Sequence, residues 1–279
     1  MILSQIIYRH FLKFVELKSQ SFSLESHETF LKCNDNTDLY YCGYYSVKEP
    51  TPPYNDETCK SCKNHFLAKR PNIDHDDDIV RGIGIEVSFM NYLNFIFKIK
   101  KTQLECKKAD VEYKNMPDLK IEDKYNGEVL FYIEMKSIFK PFVKINSLVS
   151  SDFYCNSHSL TLDSDEKLEK QFNLIESNEI QDKTIYVYWY DIPCLKGIFW
   201  STYRYVLECK NTQREYIRQA VKGDYRENRK SGHIQKIYLN IKEMSDFESL
   251  ITCISGQRII PQLKINDYSD IEKYLISIN

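Results

Sequence analysis

The stretch MPDLKIEDKYNGEVLFYIEMKSIF, residues 116–139, decides how the rest of the chain is read. Its two halves read as strands, and between them lies Asn126-Gly127, a dipeptide suited to the left-handed backbone of a hairpin turn. The second strand is apolar on both faces around Glu134, as expected of a strand in the middle of a sheet. Side chains two apart on a strand share a face, so Glu134 and Lys136 project together and Met135 points the other way. A strict two-residue turn would set Asp118 opposite Met135, on the wrong face to join them. A bulge or a three-residue loop, with Gly127 in the left-handed position, brings Asp118 opposite Glu134 or Lys136 instead.

That convergence carries chemistry. Two hard carboxylate oxygens beside a cation suit Mg²⁺, which binds through one or two carboxylates, water and substrate phosphate. Lys136 is then placed to hold or help deprotonate a water and to stabilise developing negative charge. The structural alternative is a surface hairpin with a cross-strand salt bridge. Against it stands the cost of setting Glu and Lys in an apolar strand without a use for them.

Outward from the hairpin the pattern alternates. A helix is predicted from about residue 76 to 98, with Ile79, Ile83, Met90, Leu93 and Phe97 as its apolar stripe and Glu86 in the middle of that stripe. Asp76, Asp77 and Asp78 suit the positive end of its dipole. A second helix at about 164–177 opens on the capping pair Asp163 and Glu166. TIYVYWYDI (184–192) and KIYLNI (236–241) read as strands, and two more helices open on Ser245 with Glu248 and on Ser269 with Glu272. The class is α/β, with a mixed central β-sheet flanked by helices.

Pro117-Asp118 followed by Glu134-Met135-Lys136 resembles the PD-(D/E)xK nuclease signature, in surroundings that resemble type II restriction endonucleases over about residues 76–192. The resemblance implies Mg²⁺-dependent hydrolysis of phosphodiester bonds in double-stranded DNA. Asp118 and Glu134 would bind the metal, Lys136 would serve the water, and Glu86 would support a metal or its water shell. Cutting both strands at a palindrome calls for a homodimer.

Two further features lie outside that core. Residues 1–70 are expected to form a separate N-terminal region: a helix with Ile7, Phe11, Phe14 and Val15 on one face, then a loop-rich stretch. In that stretch Cys59-x-x-Cys62 has the spacing of a zinc knuckle, and Cys33 and Cys42 complete a four-thiolate Zn²⁺ site, with His27 and His65 as substitute ligands and unliganded thiols as the alternative. The nuclease domain then spans residues 71–279. Between Arg204 and Lys236 nine Lys/Arg stand against four acids, a net charge of +5. Arg214, Arg218 and Lys222 are spaced to line one helical face toward DNA, with Arg226, Arg229, Lys230 and His233 in a loop beyond. Whole-chain charge is only −2, so any basic surface must be local. No run of apolar residues is long enough to span a membrane, and a cytoplasmic location with reduced thiols is expected. The rival from a different class is a zinc-containing DNA-binding regulator whose hairpin matches by coincidence.

Overall fold

The computed structural model describes residues 3–15, 75–109, 115–138, 160–163, 166–192, 195–212, 215–219, 233–240 and 243–256. In chain order these form α1 (Leu3–Leu12), α2 (His75–Ile99), β1 (Leu104–Lys108), β2 (Leu119–Asp123), β3 (Val129–Ile138) and β4 (Leu160–Asp163). Then follow α3 (Glu166–Ser177), β5 (Thr184–Ile192), β6 (Leu195–Thr202), α4 (Tyr203–Asn211), β7 (Glu215–Gln219), β8 (His233–Leu239), β9 (Ser245–Asp246) and α5 (Phe247–Ser255). Six strands make one open mixed sheet in the order β1-β2-β3-β5-β6-β9, and a separate three-stranded sheet runs β4-β8-β7. Among the described strands only β3 and β5 pair in parallel, and helix α3 lies in the crossover between them.

Strand β5 explains why the main sheet is covered on both sides. Every residue from Ile185 to Tyr190 is buried, and alternation sends them to opposite faces. On one face Trp189 donates from Nε1 to the Tyr8 hydroxyl at 2.8 Å and meets the edge of Phe11, so α1 closes over it. Phe11 also touches Phe89 of α2 and Phe247 of α5, which ties three helices into that layer. On the other face Tyr186 reaches Gln171 of α3, and Tyr188 shares a hydrogen bond with Ser201. Edge strand β1 is covered as well: Asn94 of α2 donates to the Cys106 carbonyl at 2.9 Å and accepts from its N–H at 2.8 Å.

Several expectations are corrected here. The inward face of α2 is Ile85, Phe89, Tyr92 and Ile96 with Leu93 and Phe97, whereas Ile83 is 53% exposed. The helical stripe expected of Arg214, Arg218 and Lys222 does not form, because residues 215–219 pair with β8 as a strand. Tyr216 and Ile217 favour an extended backbone, and the ladder overrides a spacing of four. His233 likewise begins β8 instead of lying in a loop. Helix α5 is capped by Asp246, whose side chain accepts from the Ser249 N–H, and not by Ser245. Helix α1, grouped by sequence with residues 1–70, packs into the main core. The cysteines Cys33, Cys42, Cys59 and Cys62, and residues Arg214, Lys222, Arg226, Arg229 and Lys230, lie outside the described residues. Among those described, no helix is long and apolar enough to cross a membrane.

If α1 is part of this core, Phe11→Ala should cost about 3–5 kcal/mol by chemical denaturation, the usual range for emptying a buried phenylalanine site. A loss under about 1 kcal/mol would mean that α1 does not contribute to the core.

Candidate active site

The register of the β2–β3 hairpin sets the geometry. Asp123 and Glu128 close a four-residue loop, Lys124 to Gly127, in which Gly127 takes φ +73° and its N–H donates to the Asp123 carbonyl. The Asn126 side chain accepts from the Glu128 N–H and the Asp123 side chain from that of Tyr125, which fixes the loop from within. Glu122 pairs with Val129 but Ile121 pairs with Phe131, so Leu130 is an extra residue in β3. This bulge moves the pairing by one position. Leu119 then pairs with Ile133, and one step further Asp118 falls level with Glu134. The predicted escape from a two-residue turn is what the strands adopt.

Each acid has donors. Oδ2 of Asp118 accepts from the Met135 N–H at 2.7 Å, which satisfies β3 backbone just where β2 ends. Glu134, only 3% exposed, accepts from the Lys136 ammonium at Oε1 and from Gln171 Nε2 at Oε2, 2.8 Å away. Lys136 lies on the same strand face, two residues on, and remains part-exposed. Glu86 of α2 is held by the ammonium of Lys108, at the end of β1. Its charge is still felt at Asp118 and at Lys136.

The electrostatics are those of crowded acids. Burial first, and then the charges of Glu134 and Glu86, push the Asp118 carboxyl up to about 7, against the pull of Lys136 and the Met135 N–H. For Lys136, burial lowers the ammonium's pKa, but the charges of Glu134 and Asp118, with Glu86 behind them, outweigh it and hold it above the usual lysine value. Lys136 is therefore a cation and donor in this arrangement, not a base.

Of the four residues singled out by sequence, Asp118, Glu134 and Lys136 are brought together, and Glu86 stands at the margin on a partner of its own. Among the described residues no group of three or more His, Cys, Asp or Glu side chains is gathered to hold a metal ion. What exists is a carboxylate pair. Its donor set is hard oxygen, which fits a divalent cation that takes two protein ligands and completes its shell with water. Gln171 escaped the sequence reading, although a polar side chain among Leu168, Phe172 and Ile175 on an inward helix face was the available signal.

The raised Asp118 value has a stability consequence. A carboxyl whose folded pKa lies above its unfolded one contributes stability that is full below the unfolded value and lost as pH rises through the folded value. In EDTA, the thermal midpoint of the wild type relative to that of Asp118→Asn should therefore fall between about pH 4 and pH 7 and level off above. Parallel curves for the two proteins would contradict the crowding of charge at Asp118.

No family model, no curated protein and no solved structure matches the chain.

Proposed function

We propose that this chain is a Mg²⁺-dependent DNA endonuclease of the PD-(D/E)xK type, acting as a sequence-specific restriction enzyme on double-stranded DNA. The observation that carries the reading is that Asp118 and Glu134 come level on adjoining strands with Lys136 on the same face. Mg²⁺ bound there would polarise the scissile phosphate and lower the pKa of a coordinated water. Asp118 and Glu134 would be its protein ligands. The ammonium of Lys136, part-exposed beside them, is placed to donate to a phosphate oxygen or to the attacking water and to stabilise the charge that builds on phosphorus. Glu86, already paired with Lys108, would act through the surrounding water. In this reading the protein works as a cytoplasmic homodimer.

For the DNA grip we look to the basic segment around β7, an edge strand of the three-stranded sheet, and β8 beside it. Arg218 stands on β7 and His233 opens β8, while Arg214, Lys222, Arg226, Arg229 and Lys230 flank them in sequence. The cysteines Cys33, Cys42, Cys59 and Cys62 are proposed to hold one structural Zn²⁺.

One observation favours a second reading. Both oxygens of Glu134 and the carboxylate of Glu86 already have donors within the protein, as a purely structural salt-bridged hairpin would. That arrangement suits a zinc-containing DNA-binding regulator without catalysis.

Supercoiled plasmid separates these readings. With Mg²⁺ the wild type should yield discrete fragments, and EDTA should stop it. Glu134→Ala should abolish cleavage, and Lys136→Ala should slow it by about 10²–10³-fold, the usual effect of removing a charge-stabilising donor. Nicking or smearing would assign the chain to repair, recombination or defence nucleases with structural specificity, and intact DNA would favour the regulator. Elemental analysis of protein purified without added metal should find about one zinc per chain. Unchanged zinc in Cys59→Ser/Cys62→Ser would remove the four-thiolate site.

A further inference from the structure

The two oxygens of Glu134 are held by donors of different kinds. Lys136 brings a full charge to Oε1, whereas Gln171 brings a neutral amide to Oε2. The amide does not stand alone, because its Oε1 accepts from the Tyr186 hydroxyl at 3.0 Å. Tyr186 is the residue level with Glu134 on the parallel neighbour β5. Gln171 is 4% exposed and Tyr186 is fully buried, so neither contact is a surface accident.

The chain of contacts has a direction. An ionised carboxylate only accepts, so the Gln171 amide must turn its nitrogen to Glu134 and its oxygen away. The oxygen then needs a donor in a place closed to water, and the Tyr186 phenol supplies it. A flipped amide would set two oxygens face to face at Glu134 and its NH₂ against the hydroxyl. A neutral donor also does something that a second cation would not. It fixes where the carboxylate points without setting a second positive charge beside that of Lys136. For packing alone, methionine or leucine would serve α3 between Leu168, Phe172 and Ile175 without the cost of burying an amide.

We infer that Gln171 is the positioning residue of the carboxylate centre, holding Glu134 level with Asp118, and that Tyr186 sets the direction of the Gln171 amide. The inference rests on the reading of Asp118 and Glu134 as a divalent-cation site. Removing a hydrogen bond behind a ligating carboxylate usually weakens metal binding by about 10–100-fold.

The test is Mn²⁺ binding to the full chain, followed by the electron paramagnetic resonance signal of free Mn²⁺, with circular dichroism confirming that each variant is folded. Wild type should bind and Glu134→Ala should not. Gln171→Met should weaken binding by about 10–100-fold. Tyr186→Phe, which removes one hydroxyl, should weaken it less and carries the test if Gln171→Met fails to fold. The double variant should bind no more weakly than Gln171→Met, because Tyr186 acts only through Gln171. Wild-type affinity in both single variants, with binding still lost in Glu134→Ala, would overturn the positioning role and leave the cation site standing. Additive losses in the double variant would overturn the role given to Tyr186. Absence of any Glu134-dependent Mn²⁺ binding in the wild type would remove the cation site and the positioning role together.

Discussion

One extra residue in β3 governs this molecule. Side chains alternate along a strand, so a pairing shifted by one position exchanges every residue between the two faces. The bulge at Leu130 brings Asp118 level with Glu134; if the register set by the loop ran on unshifted, Asp118 would face Ile133. The loop from Lys124 to Gly127, closed by its own side chains and by the left-handed Gly127, enters the ladder in the register that the bulge then corrects. Glu134 also stands level with Tyr186 of β5 and meets Gln171 of α3, so the offset decides which β2 side chain comes beside these buried polar contacts.

The two faces of the main sheet divide the chemistry. Ile185, Val187 and Trp189 present a nearly apolar surface to the layer of α1, α2 and α5. Tyr186, Tyr188 and Tyr190 carry hydroxyls into the layer of α3 and α4. Burial pushes the phenols of Tyr186 and Tyr188 well above their usual value, so they keep their protons at any working pH. A charged Glu134 can be buried only on the hydroxyl-bearing side. Packing and site are thus two consequences of one alternating strand.

Much of this is readable in the sequence, for physical reasons that differ by element. The hairpin is legible because strand composition and Asn126-Gly127 point the same way, and the need for an offset register follows from geometry alone. Strand β5 is legible from its run of aromatic and β-branched residues, Ile185 to Tyr190. By contrast β1, LECKK, and β6, LKGIFWST, carry too little alternation to be found, and their pairing depends on neighbours distant in sequence. The long helix α2 is legible in extent and only partly in rotation, with Leu93 and Phe97 buried as expected. The aromatics Phe89 and Tyr92 turn inward with Ile85 and Ile96, leaving Ile83 in solvent. Around Arg218 a four-residue charge spacing suggests a helix, but strand pairing with β8 wins. Within the candidate site the charged residues are legible because they are out of place in apolar strands. Gln171 and Tyr186 are not, since their role appears only when α3 and β5 are set against β3.

Asp118 and Glu134 are proposed to share one divalent cation. Crystals of the full chain grown with Mn²⁺, with anomalous diffraction data collected for manganese, test it directly. An anomalous peak is expected between the two carboxylates, within ordinary metal–oxygen distance of both. A peak bound elsewhere, with Glu134 still closed on Lys136 and Gln171, would contradict it.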